Sequence, residues 1–368
     1  MPQQRNPPIR VVIVDDSTLM RTALRSILEA DSGISVIGEA RNGREAIEVI
    51  GRLRPDVVTM DLEMPDTDGI TAIRAITSQH GPKIAIIVVS KYSQPNCEAT
   101  TSALAAGALD FVSKSSSLLQ FDIDGIDHEL LPKIHQWGKL ARSAPPASPK
   151  PRNTPQRPPA LAPRPPNAAL SDVDLVVIGV STGGPATLRT ILGAMGQIGV
   201  PVVVAQHMPA LYTKSLAESL SRDLRQSVVE GVFDQDVPPG TVTILPGGCD
   251  ARLARSRSGS GKFILKRADG DGTLHPSADI LFQSAAREAR HPVAVILSGM
   301  GRDGTLGAHA MRQGAHRVLV QRPDTAVVPG MPSAAIEAGH ATHILGLEEI
   351  GAMVARWTRR AQEGGAKS

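Results

Sequence analysis

The chain has 368 residues, 41% hydrophobic, 20% charged and only 2% aromatic, which excludes a disordered or fibrous protein and requires cores of Val, Ile, Leu and Ala, as in parallel α/β sheets. Two cysteines, Cys97 and Cys249, share no motif spacing, and no run approaches the ~18 apolar residues that span a bilayer; a disulfide scaffold, a zinc site and a membrane helix are therefore excluded, and a reducing cytoplasm is expected. The formal charge of +3 is concentrated in residues 142–166, which hold five Lys/Arg, no acid and ten of the 29 prolines, the composition of an extended spacer and not of a nucleic-acid-binding arm.

Before the spacer, strands are predicted at 10–14 (RVVIV), 34–38 (ISVIG), 56–60 (DVVTM), 84–90 (IAIIVVS) and 109–112 (LDFV). Helices are predicted at about 17–30, 43–53, 68–78 and 96–106, with a fifth after 116. Beyond the spacer, strands are predicted at 173–178, 200–205, 241–245, 293–297 and 316–320, and helices begin near 185, 211, 279, 303 and 332. Residues 246–275, rich in Gly, Ser and Arg, read as a hairpin excursion. Both halves alternate strand and helix, which implies two mostly parallel α/β domains. The expected division is a first domain over 1–125, a linker over 126–170 with a helical start, and a second domain over 171–368.

In a parallel sheet, polar residues just after strands converge on the carboxyl edge, where such sheets bind ligands. Asp15 and Asp16 end the first predicted strand, Asp61 the third and Ser90 the fourth, while Lys114 follows the fifth. Three carboxylates at one edge repel unless a hard cation such as Mg²⁺ joins them. A carboxylate beside that metal can attack phosphorus to give an aspartyl phosphate. The alternative, that these aspartates only cap helices, suits one of them better than three. The motifs VVIVDDSTLMR, PDVVTMDLEMPDTDG and ALDFVSK resemble the receiver domain of two-component response regulators over about residues 9–125. The resemblance implies a flavodoxin-like (βα)5 fold and Asp61 as phosphoacceptor. It further implies Asp15, Asp16, Asp61 and the Glu63 carbonyl as Mg²⁺ ligands, with Ser90, Phe111 and Lys114 as the switch set. Ser115 departs from the family, which usually has proline after the lysine.

The stretch GVSTGG (179–184) fits the G-x-S-x-G strand-to-helix elbow, which exposes a serine hydroxyl, but a phosphate-cradling turn fits it as well. The absence of a P-loop lysine and of G-x-G-x-x-G lowers the second reading. A nucleophilic serine needs a base. Of ten histidines, His207 in AQHMP emerges just past a predicted strand, at the edge of Ser181. A carboxylate to orient that base is offered by Asp303, in the glycine-rich loop of VAVILSGMGRDG, whose other reading is the N-cap of the next helix.

GVSTGGP, VVVAQHMP, LHPSADILF, VILSGMGRDGTLGA and PGMPSAAIEAG, in that order, resemble the catalytic domain of the chemotaxis protein-glutamate methylesterases, the CheB family, over about residues 172–350. The resemblance implies a Ser181–His207–Asp303 triad that hydrolyses γ-glutamyl methyl esters on chemoreceptors and deamidates particular receptor glutamines. Thr182, Gly183, Met300 and Gly301 are the candidates for holding the oxyanion, with no cofactor in this site. A receiver that covers the catalytic edge until a histidine kinase's phosphoryl group reaches Asp61 is also implied. The chain is expected to act as a monomer on receptors, without inserting in the membrane or binding nucleic acid. Departures from the family stand at Cys249 and Asp250, in place of a histidine-methionine pair, and at Pro329, in place of an aromatic. A phosphorylation-dependent adaptor with a dead esterase site and a DNA-binding regulator are the rival readings.

Overall fold

The computed structural model describes residues 7–81, 84–91, 94–114, 126–143, 173–256, 263–270 and 275–364. The chain divides into two units near residue 157. Ser115 and most of the Pro/Arg-rich spacer lie outside the described residues.

In the first unit β1 (Ile9–Val14), α1 (Thr18–Glu29), β2 (Ile34–Ala40), α2 (Gly43–Leu53), β3 (Val57–Met60), α3 (Gly69–His80), β4 (Ala85–Lys91), α4 (Gln94–Ala106) and β5 (Asp110–Lys114) alternate as predicted. The five strands form one parallel sheet in the order β2-β1-β3-β4-β5. Strand order reverses between β1 and β3, so the ends of those two strands flank a crevice. The helices are capped by Ser17, Asn42 and Asp68, each accepting an N–H three residues on. The acidic cluster at the strand ends is thus left free of capping duty.

The first unit extends past residue 125. Helix α5 (Ile126–Ser143), assigned by sequence to the linker, buries Ile126, Leu130, Ile134 and Trp137. These residues share one face at helical spacing, and that face packs against β5, β1 and β3. Arg142 fastens the far end to Asp56 and to the carbonyls of Pro7 and Pro8. The helical start was expected, but the proline-rich composition after 143 drew it into the linker, away from the sheet on which it packs.

The second unit comprises β6 (Leu175–Val180), α6 (Gly184–Met195), β7 (Val202–Gln206), α7 (Tyr212–Leu224), β8 (Val228–Glu230), β9 (Asp236–Val237), β10 (Val242–Ile244), β11 (Asp250–Arg255), β12 (Phe263–Ala268), α8 (Ala278–Glu288), β13 (Pro292–Ile296), α9 (Thr305–Gln313), β14 (Arg317–Gln321), α10 (Gly330–Glu337), β15 (His343–Leu345) and α11 (Leu347–Gly364). Seven strands form a parallel sheet, β15-β14-β13-β6-β7-β10-β8. The predicted excursion is the antiparallel pair β11–β12, which β9 extends to a three-stranded sheet. Both units are therefore α/β, as the sequence predicts. Strands β6, β7 and β13 are buried along their whole length, so their only route to solvent is at their ends. Helix α8 covers them, burying Leu281, Phe282 and Ala285 among Leu175, Val177, Val203 and Ile296. Among the described residues no helix is long and apolar enough to cross a membrane.

Candidate active site

The topology places β6 between β7 and β13. The ladder continues past the strand ends: His207 N–H donates to the Val180 carbonyl (3.1 Å), Leu297 N–H to Gly179 (2.9 Å) and Ser181 N–H to Ser298 (2.9 Å). Ser181, His207 and the 298–303 loop thereby leave the sheet side by side. After Ser181 the chain turns sharply, Gly184 N–H returning to the Ser181 carbonyl at 2.9 Å, with Gly183 at φ +75° as the N-cap of α6. A side chain is strained at such a φ, which explains a glycine there.

His207 joins the other two groups. Its Nδ1 lies 3.0 Å from Ser181 Oγ and its Nε2 lies 2.6 Å from Asp303 Oδ2. A carboxylate on Nε2 favours the Nε2–H tautomer, which leaves the Nδ1 lone pair facing the serine hydroxyl. The His207 side chain is buried and Asp303 only slightly exposed. Asp303 also accepts N–H groups from Ala278 (2.7 Å), Asp279 (2.9 Å) and Gly304 (2.9 Å) and the Ser277 hydroxyl (3.1 Å). Burial raises its carboxyl, but the hydrogen bond and charge of His207 and the backbone donors outweigh burial and leave it at about 2. It stays ionised and able to stabilise a protonated imidazole. The predicted capping role goes elsewhere than expected: Asp303 caps α8, a helix distant in sequence, while Gly304 occupies the N-cap of α9.

The Ser181 N–H is committed to Ser298, which leaves the oxyanion donors to its neighbours. Among the described residues, the N–H groups of Thr182, Gly183, Met300 and Gly301 make no hydrogen bond within the protein. Met300 and Gly301 are exposed, and Met300 presents an apolar side chain at the mouth of the site. The Met300 loop is held close to the nucleophile: a Cβ on Gly299 would lie 2.2 Å from Met331 Sδ and 2.8 Å from Ser181 Cβ.

Two supporting residues escape sequence reasoning. Buried Ser298 donates its hydroxyl to the Thr182 carbonyl (2.8 Å), fixing the 182–183 peptide, and receives the Val328 N–H (2.9 Å). Buried Gln206 donates from Nε2 to the carbonyls of both Ser181 (2.9 Å) and His207 (3.1 Å), tying the two residues together. A Cβ on Gly184 would lie 1.7 Å from Gln206 Oε1. Gly184→Ala is therefore expected to push that amide off its two carbonyls and to lower kcat by roughly tenfold, as small displacements of catalytic groups do; steady-state methanol release checks this.

At the carboxyl edge of the first sheet, Asp15, Asp16 and Asp61 bring carboxylate oxygens within 4.8 Å of one another. Lys114 Nζ donates to Asp15 Oδ2 (2.9 Å) and Asp61 Oδ2 (2.8 Å). Burial pushes the Asp15 carboxyl above its ordinary value despite Lys114. One lysine against three carboxylates leaves the cluster net negative, and its oxygen donors fit a hard divalent cation. Glu63 lies in the exposed turn after Asp61. Ser90 is buried near the end of β4, one register step before the Lys91–Lys114 pair. Phe111 is buried on β5, with Lys133 Nζ from α5 held 5.3 Å from its ring and bonded to Asp110 (2.9 Å) and to the Phe111 carbonyl.

The family described as response regulator receiver domain matches residues 11–121, and the one described as CheB methylesterase matches residues 176–354. A protein-glutamate methylesterase/protein-glutamine glutaminase of Nocardioides sp. is 38% identical over 95% of both chains. The chain belongs to this family. A relative from Myxococcus xanthus carrying the same name with the suffix 5 is 37% identical over 96% of this chain and 99% of its own. The CheB methylesterase catalytic domain of Thermotoga maritima is 36% identical, covering 50% of this chain and 98% of its own, with a TM-score of 0.47.

The departures from the family pattern fall beside the triad without entering it. Buried Asp250 accepts the Ser277 N–H (2.7 Å), and its other oxygen lies 3.0 Å from His275 Nδ1. The His275 carbonyl takes the Met208 N–H (3.1 Å), next to His207. Asp250 thus braces the segment that presents α8 to Asp303. Burial raises the Cys249 thiol, so it sits as an inert side chain. Pro329 serves as the N-cap of α10.

Proposed function

We propose that the chain is a phosphorylation-activated serine hydrolase of the cytoplasm, acting as a monomer, which demethylates glutamate methyl esters on chemoreceptors and deamidates specific receptor glutamines. The observation that carries this reading is the unbroken hydrogen-bonded line Ser181–His207–Asp303, with unused backbone donors on both sides of the hydroxyl.

As Ser181 Oγ attacks the ester carbonyl carbon, its proton passes to His207 Nδ1, and Asp303 balances the imidazolium. The carbonyl π electrons move to oxygen, which meets the N–H groups of the Thr182–Gly183 turn and the Met300–Gly301 loop; one such donor contributes about 3 kcal/mol of transition-state stabilisation. Collapse breaks the bond to the methoxy oxygen, and methanol leaves with the proton from Nδ1. Water then attacks the acyl-serine by the same route and releases glutamate. With glutamine as substrate the leaving group is ammonia.

In the receiver unit Asp61 is the acceptor of a phosphoryl group from a chemotaxis histidine kinase, its carboxylate oxygen forming the bond to phosphorus as the donor's bond breaks. Asp15, Asp16, Asp61 and the Glu63 carbonyl would hold Mg²⁺, which when bound neutralises the charge on the transferring phosphoryl oxygens. Lys114 and Ser90 are placed to take those oxygens. A small phosphodonor with Mg²⁺ is expected to raise methanol release from methylated receptor. Asp61→Asn, or chelation of the cation, is expected to remove the stimulation. Equal stimulation of Asp61→Asn would count against this assignment.

A further inference from the structure

The two helices flanking Asp303 cap each other. The first N–H groups of α8 go to Asp303, which belongs to the loop before α9. The third N–H of α9, that of Gly307, goes to Asp279 Oδ1 at 2.7 Å, and Asp279 belongs to the first turn of α8. The N-cap of α9 is a glycine with no side chain to offer, so Asp279 supplies the anion that a helix N-terminus favours. The Asp279 N–H in turn bonds Asp303 Oδ1 at 2.9 Å, and the Asp279 carboxyl feels the charge of Asp303. Neither residue can shift without pulling the other helix.

We propose that Asp279 is a positioning residue for ester hydrolysis: it cross-braces the two helix ends so that Asp303 meets His207, and its own negative charge keeps the charge of Asp303 directed at the imidazole. The proposal rests on the triad reading. When ionised, Asp279 can only accept, and the α9 N-terminus satisfies it. When protonated, it becomes a donor whose nearest anionic acceptor is Asp303, and that hydrogen bond competes with the one from His207. Burial and the neighbouring Asp303 push the Asp279 carboxyl up to about 6, against the Gly307 N–H. Among the described residues its charged surroundings are few. Asp303 faces it from the α9 side, with the Gly304 and Gly307 backbone N–H groups, and His207 lies across Asp303. Asp250 and His275, at the same helix end, meet each other and the Ser277 N–H.

The test is methanol release from methylated receptor membranes by the full-length, phosphodonor-treated chain, followed from about pH 5 to 8 for the parent and Asp279→Asn. The parent is expected to lose kcat/KM on the acid side more steeply than Asp279→Asn, since Asp279 takes up a proton as pH falls through about 6. Asp279→Asn keeps an acceptor for Gly307 but donates permanently to Asp303. It is expected to lower plateau kcat roughly 3- to 10-fold at unchanged KM and to leave a shallower acid limb than the parent's. A variant profile parallel to the parent's would overturn the proposal, and so, even where the variant fails to fold, would a parent whose kcat/KM shows no loss between about pH 7 and pH 5. A parent that releases no methanol at any pH would instead count against the triad reading.

Discussion

Ser181→Ala is expected to reduce phosphodonor-stimulated methanol release by roughly 10⁵-fold or more, with receptor binding intact, because the nucleophile, base and carboxylate act as a unit. The loss is specific to the hydroxyl. Ser181 donates its N–H to Ser298 and accepts from Gly184 through its carbonyl, and both bonds are made by the backbone. Alanine keeps them, and the side chain at this position carries no structural hydrogen bond other than the one to His207. Unfolding temperature is therefore expected to stay within a degree or so of the parent, as for surface substitutions that break no structural contact. The combination of a large kinetic loss with an unchanged melting curve separates a nucleophile from a structural serine.

Asp303→Asn is expected to fail in both respects. Each oxygen of Asp303 is surrounded by donors: Oδ1 receives Ser277, Asp279 and Gly304, and Oδ2 receives His207 and Ala278. An asparagine in either orientation turns its NH₂ toward donors, leaving N–H groups of α8 or the imidazole unpaired. If the NH₂ faces His207, the imidazole turns its Nε2 lone pair to it and the proton moves to Nδ1, the tautomer that cannot take the Ser181 proton. Such a change costs on the order of 10⁴-fold in kcat. The unpaired donors cost about 3 kcal/mol, or roughly 6–12 °C for a unit of this size. Asp303 titrates below its ordinary value when folded, so its charge contributes stability above pH ~3.8 that is lost as pH falls through about 2. The difference in melting temperature between parent and variant is expected to be largest near neutrality and to close on acidification. A variant equal to the parent at pH ~7 would exclude the cross-capping arrangement.

Strand ends were the most legible feature of this chain. Aliphatic runs such as VVIV and VVVA are buried on both faces, so their periodicity and their polar exits can be read directly. That is why position alone put Asp61, Ser181 and His207 at the carboxyl edges of their sheets, where the structure has them. Short edge strands were not legible: β8 has three residues, SVVEG around it carries no alternation, and its pairing with β10 is set by tertiary contact. Helix α5 was assigned to the linker because the proline-rich run beyond it dominated the composition, although Ile126, Leu130, Ile134 and Trp137 already marked a buried face. Asp303 was legible as a cap or as the carboxylate of a triad; it does cap a helix, but that helix lies 25 residues upstream, a pairing that no local pattern encodes. Gln206, Ser298 and Asp279 carry no signal of their own. Each reaches Ser181, Thr182, His207 or Asp303 through backbone groups, and only the folded geometry shows which.

The most direct measurement treats the full-length chain with a fluorophosphonate, which reacts with activated serine hydroxyls, maps the adduct by mass spectrometry and assays methanol release on the same sample. A single adduct on Ser181, with activity falling in proportion to its occupancy, is the expected result. Full modification of Ser181 with methanol release undiminished, or inactivation with Ser181 unmodified, would contradict it.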